Sequence, residues 1–123
     1  MKKVLIVDDC KEIRQLVATT LDIGEFTVYE ASSGAKAIEV AHECIPDLII
    51  MDVTMPGKVD GIEATRKIKA SSETAACQII ILTGSRIDHR KDGIAAGASD
   101  VLTKPFSPLD LIAKVEGILG ITV

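Results

Sequence analysis

DLIIMDVTMPGKVDG, residues 47–61, contains a short apolar run that ends in one carboxylate, Asp52. Pro46 precedes the run and Pro56-Gly57 close it, so the stretch predicts a strand buried on both of its faces. Strands of this kind form parallel sheets, which bind ligands outside the carboxyl ends of their strands. An aspartate before a turn more often bonds nearby backbone N–H groups. Asp52 therefore indicates chemistry only if other strand ends carry suitable side chains.

Three other predicted strands also end in polar side chains. The run VLIV ends in Asp8-Asp9, IIIL ends in Thr83, and DVLT leads into Lys104. Because parallel strands bring their carboxyl ends to one edge of a sheet, these side chains are predicted to converge with Asp52. The convergence, rather than any single residue, favours a functional site.

Strand and helix alternate along the whole chain. The predicted strands cover residues 2–7, 26–30, 48–52, 78–82 and 100–103, and the predicted helices cover 11–21, 34–45, 62–70, 86–98 and 108–119. Strict alternation requires parallel pairing through right-handed crossovers. We therefore predict an α/β fold with a doubly wound, flavodoxin-like parallel sheet of five strands in the order 2-1-3-4-5, and five helices. This order places Asp8-Asp9 beside Asp52. Helical spacing also predicts that Leu16 and Ile45 are buried.

Composition limits the function classes. The 123 residues suffice for one domain, and we predict a single domain over residues 1–123. No apolar segment has membrane length and no signal peptide is visible, which predicts a cytoplasmic protein without a membrane partner. The 14 basic and 18 acidic residues give a net charge of −4, which argues against direct nucleic-acid binding. Cys10, Cys44 and Cys77 lack paired metal-site spacing and are predicted to be reduced thiols.

The predicted cluster has the chemistry of a phosphoryl site. Its carboxylates are hard oxygen ligands that suit Mg²⁺, and a divalent cation would relieve their mutual repulsion. His42 and His89 fall inside predicted helices and are not expected to add ligands. Lys104 and Thr83 contribute an ammonium and a hydroxyl, which can neutralise and hydrogen-bond phosphoryl oxygens. Attack on phosphorus by Asp52 would give an aspartyl phosphate.

These residues together resemble the response-regulator receiver domain of two-component signalling, over essentially the whole chain, and the chain is similar to single-domain chemotaxis-type regulators. The matching features are Asp8-Asp9 after VLIV, Asp52 followed by MPG, Thr83 after IIIL, and Lys104-Pro105-Phe106 after ASDVLT. Each motif alone is weakly specific, but all four in this order at strand ends are highly specific.

The resemblance implies a role for each acid. Asp52 would accept a phosphoryl group from the phosphohistidine of a histidine kinase or histidine phosphotransfer protein, or from acetyl phosphate. Asp9 and Asp52, with the backbone carbonyl of Thr54 and help from Asp8, would hold Mg²⁺ as the cofactor. The domain would catalyse only its own phosphorylation and dephosphorylation, and would not otherwise be an enzyme.

Lys104 and Thr83 would connect phosphorylation to output. The resemblance implies that Lys104 pairs with one phosphoryl oxygen, that Thr83 rotates to bond another, and that the Lys104–Pro105 bond is cis. The output would be a population shift in the face made by helix 4, strand 5 and helix 5. A downstream protein target or an effector domain would read that shift.

Three features depart from the family pattern. Val101 stands where most members carry an aromatic residue three positions before the lysine, so the usual aromatic switch cannot operate. The loop after Asp52 is one residue longer than usual, and Lys58 in that loop is predicted near the site. Thr54 and Ser85, at positions that tune how water reaches the acyl phosphate, are both small and neutral.

Two alternatives belong to other function classes. A degenerate receiver would bind partners constitutively, which Val101 suggests but the complete set of acids, threonine and lysine argues against. A Mg²⁺-dependent phosphatase with an aspartate nucleophile would need a further general acid and a substrate pocket, for which tight loops leave little room. Failure of phosphorylation with every donor would support the first alternative, and turnover of a phosphomonoester would support the second.

Overall fold

Five strands and five helices alternate along the residues that the computed structural model describes, which are 2–22, 26–53, 59–84 and 90–121. The strands are β1 (Lys2–Val7), β2 (Phe26–Ala31), β3 (Leu48–Asp52), β4 (Gln78–Thr83) and β5 (Asp100–Thr103). The helices are α1 (Lys11–Leu21), α2 (Gly34–Cys44), α3 (Gly61–Ala70), α4 (Arg90–Ala96) and α5 (Pro108–Leu119). None of the helices within these ranges combines the length and the apolar character that crossing a membrane requires.

All neighbouring strands pair in parallel, in the order β2-β1-β3-β4-β5. The predicted doubly wound class, strand order and helix number are confirmed. Val7 pairs with Met51 in the β1–β3 register, so Asp8, the next residue, reaches the edge of the sheet at the level of Asp52. The sheet thus brings the acids that follow β1 and end β3 to the edge where parallel strands bind ligands.

Helices cover both faces of the sheet, which explains its continuous apolar runs. All residues of β3 are buried, as predicted for a strand covered on two sides. Because successive side chains of a strand point to opposite faces, Ile49 and Met51 pack with α2 and α3, whereas Leu48 and Ile50 pack with α1 and α5. The core therefore consists of two layers that share the central strands.

Two side chains that helical spacing predicts to be buried are partly exposed. Leu16 is half exposed, because it lies at the edge of the α1 face and lines a surface groove with Ile13 and Phe106. Ile45 is 44% exposed, because α2 ends at Cys44 and Ile45 occupies the C-cap with a left-handed backbone. In both cases the helical spacing is correct. Leu16 at the edge of the α1 face and Ile45 at the end of α2 are nevertheless only partly covered by neighbouring residues.

Some boundaries also differ from the prediction. β2 extends to Ala31 and β4 includes Thr83. α4 ends at Ala96, two residues earlier than predicted, because Gly97 has a φ of 112°, which ends the helix. The predicted start of this helix at residue 86, and His89 within it, lie outside the described residues.

Ile45 is a β-branched residue in the left-handed region, with φ 46° and ψ 69°. This backbone conformation costs an ordinary residue about 1–2 kcal/mol and is better tolerated by asparagine. Ile45→Asn should raise the free energy of unfolding by about 0.5 kcal/mol, since relief of strain exceeds the loss of partly buried apolar area. Chemical denaturation measures the change, and a less stable variant would contradict the prediction.

Gly120 is the matched control for this cap. It is the C-cap of α5 with φ 67°, and a Cβ there would meet no atom within 4 Å. Gly120→Ala should therefore lower the free energy of unfolding by about 1 kcal/mol through backbone conformation alone.

Candidate functional site

Three carboxylates meet at the carboxyl edge of β1 and β3. Asp8 follows β1, Asp9 is the next residue, and Asp52 ends β3. One oxygen from each carboxylate lies within 4.8 Å of the others. Asp8 is 2% exposed and Asp52 is 5% exposed, whereas Asp9 faces solvent. The predicted convergence therefore occurs, and it produces a cluster with two buried acids and one accessible acid.

Among the residues that the structure describes, Lys104 is the cation whose side chain contacts these carboxylates. It follows β5, and its Nζ donates to Asp8 Oδ2 and to Asp52 Oδ1, each at 3.2 Å. Its backbone N–H donates to the carbonyl oxygen of Thr83 at 2.7 Å, which ties Lys104 to the end of β4. The Lys104–Pro105 bond is cis, as predicted. Lys104 thus reaches across β4 to contact acids from β1 and β3.

Asp8 has partners for its backbone and for both carboxylate oxygens. Its N–H donates to the Ala31 carbonyl at 3.1 Å, and its own carbonyl accepts from Arg14 Nη1 at 2.8 Å. Its Oδ1 accepts from the Cys10 N–H at 2.9 Å, while Oδ2 accepts from Lys104. Arg14 carried no signal in the sequence, because an arginine inside a predicted helix does not reveal which distant carbonyl it contacts.

The end of β3 is held against the start of α3. Asp60 caps α3, since its side chain accepts from the Glu63 N–H at 2.8 Å. The Gly61 N–H donates to the Val53 carbonyl at 3.0 Å. A Cβ on residue 61 would lie 1.9 Å from the carbonyl oxygen of Asp52. Only glycine allows this approach, so the Asp-Gly pair fixes the backbone that carries Asp52.

Thr83, the predicted hydroxyl donor, is the last residue of β4 and is 4% exposed. Its neighbour Leu82 pairs with Asp52 in the β3–β4 register, so Thr83 lies at the same edge of the sheet. Three other predicted residues of the site and its loops, Thr54, Lys58 and Ser85, lie outside the described residues. His42 is exposed on α2 with its Nδ1 3.4 Å from Glu73, so it adds no ligand to the cluster.

Burial and neighbouring charges shift the pKa values of Asp52 and Lys104. Burial, followed by the charge of Asp8, raises the pKa of Asp52, while Lys104 opposes the rise. Burial would lower the pKa of Lys104, but the charges of Asp52 and Asp8 outweigh burial and raise that pKa. A further cation near Asp52 would therefore stabilise its ionised form. Lys104 stays protonated at neutral pH.

The raised pKa of Asp52 predicts the sign of a stability change. At a pH above that pKa, the ionised Asp52 carboxylate is less stable in the folded protein than in the unfolded chain. Asp52→Asn should therefore raise the free energy of unfolding at neutral pH in the absence of Mg²⁺. The gain should shrink as the pH falls through the raised pKa, and should vanish below the ordinary aspartate pKa of about 4. Thermal unfolding across this pH range tests the sign, and lower stability of the variant at neutral pH would contradict it.

The carboxylates and Lys104 line an open cleft of about 390 Å³, with Cys10 and Gly84 at its rim. The donors that converge there are carboxylate oxygens, which Mg²⁺ prefers. The Cys10 thiol instead donates to Glu12 Oε2 at 3.3 Å. Because repulsion from Asp8 helps to raise the pKa of Asp52, a divalent cation would also reduce the repulsion between these carboxylates. The residues present therefore fit a Mg²⁺ site.

An apolar groove of about 400 Å³ adjoins the cleft and shares Ile13, Gly84 and Lys104 with it. Its other lining residues are Leu16, which like Ile13 belongs to α1, and Pro105 and Phe106 from the segment before α5. The groove was not predicted, because its two sides are about 90 residues apart in the chain and only the fold brings them together.

Asp100 links the three elements α4, β5 and α5. Arg90 Nη1 of α4 donates to Asp100 Oδ1 at 3.2 Å, and Lys114 Nζ of α5 donates to Oδ2 at 2.6 Å. Arg90 Nη2 also donates to the Val101 carbonyl at 3.0 Å. Val101 is 3% exposed, and a Cβ added to Gly93 would lie 3.4 Å from its Cγ2. Val101 is therefore a buried strand residue directly beneath α4.

Comparison with known sequences agrees with this geometry. The profile of the response regulator receiver domain matches residues 4–116. The chain is 38% identical over 119 residues to the phosphate regulon transcriptional regulatory protein PhoB of Pseudomonas aeruginosa, which covers 96% of this chain and 52% of PhoB. The chain thus spans about half the length of the curated relatives it matches.

Solved structures show the same fold. The chemotaxis protein CheY4 of Vibrio cholerae superimposes with a TM-score of 0.87 at 35% identity, covering 96% of this chain and 98% of CheY4. The receiver domain of the sensor histidine kinase PA1611 of Pseudomonas aeruginosa has a TM-score of 0.87 at 28% identity, covers 97% and 98% of the two chains, and holds a magnesium ion in its active-site cleft. A doubly wound sheet with acids, threonine and lysine at one edge defines a two-component signalling domain. The chain belongs to the response regulator receiver domain family, as its sequence predicted.

Proposed function

We propose that this chain is a phosphorylation-dependent switch in which Asp52 accepts the phosphoryl group. One observation carries the proposal: three carboxylates converge within 4.8 Å, and Lys104 Nζ lies 3.2 Å from both Asp8 and Asp52. A carboxylate nucleophile, hard ligands for a metal ion and a fixed ammonium are the parts that phosphoryl transfer to an aspartate needs.

In the proposed transfer, a carboxylate oxygen of Asp52 attacks the phosphorus of a phosphohistidine. An O–P bond forms, the P–N bond breaks, and the imidazole leaves with the bonding electron pair. With acetyl phosphate, the P–O bond to the acyl group breaks instead and acetate leaves. Both donors give the same product, an acyl phosphate on Asp52.

Asp8, Asp9 and Asp52 would hold Mg²⁺, together with the Thr54 carbonyl that the family resemblance implies. When bound, Mg²⁺ supplies positive charge to the phosphoryl oxygens. Lys104 stays protonated because the two buried acids raise its pKa. Its Nζ, which bridges Asp8 and Asp52, would exchange a carboxylate partner for a phosphoryl oxygen after transfer.

The signal would pass through Lys104 and Thr83 to the face of α4, β5 and α5. The backbone bond from Lys104 to the Thr83 carbonyl joins the ends of β4 and β5. Since Val101 is buried beneath α4, no aromatic rotation is available there, and output would depend on how α4 sits on β4 and β5. A shift of α4 would alter the contact of Arg90 with Asp100, the residue that also binds Lys114 of α5.

The apolar groove beside the cleft supports a protein as the phosphoryl donor. Ile13, Leu16 and Phe106 would bury apolar surface against a histidine kinase or phosphotransfer protein whose histidine enters the cleft. A small donor such as acetyl phosphate needs only the cleft. Efficient transfer from a protein would therefore depend on the groove, and slow transfer from acetyl phosphate would not.

We further propose that residues 1–123 form one receiver domain, which itself binds no nucleic acid. The net charge of −4 supports this. PhoB is named a transcriptional regulator, but the match covers only 52% of its length. A separate target protein or an effector domain would therefore read the switch.

Intact-mass spectrometry after incubation with acetyl phosphate tests the proposed function. With Mg²⁺ the protein should gain one adduct of about 80 mass units, and a chelator should prevent the gain. No adduct with acetyl phosphate or with a phosphohistidine donor would favour the degenerate receiver. Steady turnover of a phosphomonoester would favour the phosphatase.

A further inference from the structure

Arg14 has a defined place beside the acid cluster but no part in the chemistry described above. Its side chain is only 16% exposed. Its Nη1 donates to the Asp8 carbonyl oxygen at 2.8 Å, and its Nε donates to Glu30 Oε1 at 3.0 Å. One guanidinium thus connects α1 with the ends of β1 and β2, at the level of the carboxylates.

Asp9 is the acid whose direction depends most on its backbone. It faces solvent, and within the described ranges its carboxylate accepts no hydrogen bond. The two peptide groups that flank it are both held. Arg14 holds the Asp8–Asp9 peptide through its carbonyl oxygen, and Asp8 Oδ1 holds the Asp9–Cys10 peptide through the Cys10 N–H at 2.9 Å.

We infer that Arg14 is a positioning residue for Asp9 as a metal ligand, an inference that rests on the proposed function. Arg14 acts through the backbone and does not touch the metal or the phosphoryl group. Without its hydrogen bond, the Asp8–Asp9 peptide can rotate, and the Asp9 carboxylate spends less time directed at the other two acids. Contacts that orient metal ligands typically affect metal affinity about 10-fold or more.

The two contacts of Arg14 also predict which substitutions can replace it. Two separate nitrogens are used, one for the Asp8 carbonyl and one for Glu30, and the planar guanidinium fixes their relative direction. Lysine has a single nitrogen and should restore only part of the effect. Glu30 is half exposed, and such ion pairs contribute little energy, so its main effect is to aim the arginine.

The test is an NMR titration of the unphosphorylated full chain with magnesium chloride, which follows the amide signals around the acids. Arg14→Ala should weaken Mg²⁺ binding about 10-fold, and Arg14→Lys should be intermediate. Glu30→Gln should stay within about twofold of wild type, because its amide oxygen can still accept from Arg14 Nε. If Mg²⁺ placement is the defect, the rate of phosphorylation by acetyl phosphate should recover in Arg14→Ala at saturating Mg²⁺.

Ser107→Ala separates positioning from general loss of stability. Ser107 caps α5 by accepting from the Asp110 N–H at 3.1 Å, a bond that involves neither Arg14 nor the three acids, and its removal should lower stability by about 1 kcal/mol. It should leave Mg²⁺ affinity unchanged. The inference is overturned if Arg14→Ala binds Mg²⁺ like wild type, or if Ser107→Ala loses as much affinity as Arg14→Ala. No Mg²⁺ binding by the wild type would instead overturn the proposed metal site.

Discussion

Asp52→Asn should form no phosphoryl adduct with acetyl phosphate or with a phosphohistidine donor. An amide lacks the carboxylate oxygen that attacks phosphorus, so no acyl phosphate can form at residue 52. We expect complete loss rather than a reduction, because the oxygens of the neighbouring Asp8 already accept from Cys10 and Lys104, and Asp9 is proposed to serve the metal ion. Intact mass after incubation with each donor and Mg²⁺ measures the result.

Two controls make this loss interpretable. Asp22→Asn changes an exposed aspartate at the end of α1, remote from the cluster in the fold, and should keep the full adduct. Asp52→Asn should itself be more stable than wild type at neutral pH, for the electrostatic reason given above, so unfolding cannot explain its loss. A full wild-type adduct on Asp52→Asn would refute the assignment of the nucleophile.

Gly61→Ala should lower the free energy of unfolding by about 3 kcal/mol or more. The added Cβ would lie 1.9 Å from the Asp52 carbonyl oxygen, 2.7 Å from its carbon and 2.9 Å from Val53 Cα. All three are backbone atoms, so no rotamer change can relieve the contact, and the end of β3 or the start of α3 must move. Chemical denaturation measures the loss, and phosphorylation should slow because Asp52 moves with its strand.

Gly117→Ala is the matched control within an equally regular helix. Gly117 lies in α5, where a Cβ would meet no atom within 4 Å. The substitution should raise the free energy of unfolding by about 0.5–1 kcal/mol, because alanine is the better helix former. If Gly61→Ala cost less than about 1 kcal/mol, β3 and α3 would not be held in the close contact described here.

The fold and the acid cluster could be predicted from the sequence because they depend on local patterns. Apolar runs that end in Asp8-Asp9 and Asp52 predict buried strands, and the topology of a doubly wound sheet then brings these ends together. The N-cap of α2 is equally local, because Ser33 accepts from the Lys36 N–H three residues along the chain. In each case the relevant information lies within a few neighbouring residues.

Contacts between distant residues could not be predicted in the same way. The strand-end pattern predicted that Lys104 and Asp52 lie at the same edge of the sheet, but not the direct bond between these residues, which are 52 positions apart. The bond of Arg14 to the Asp8 carbonyl and the contact of Gly61 with Asp52 depend on how helices dock onto strand ends. Helical periodicity also does not show where packing against neighbouring elements stops, which is why Leu16 and Ile45 were wrongly predicted to be buried.

The most direct measurement locates the phosphoryl group on the wild-type chain. The protein is phosphorylated with acetyl phosphate and Mg²⁺ and treated with borohydride, which reduces an acyl phosphate on aspartate to homoserine, and its peptides are then sequenced by mass spectrometry. Homoserine should appear at residue 52 and at no other position, and should be absent when a chelator replaces Mg²⁺. Homoserine at Asp8 or Asp9, or an adduct on another residue type that borohydride leaves unchanged, would contradict Asp52 as the phosphoryl acceptor.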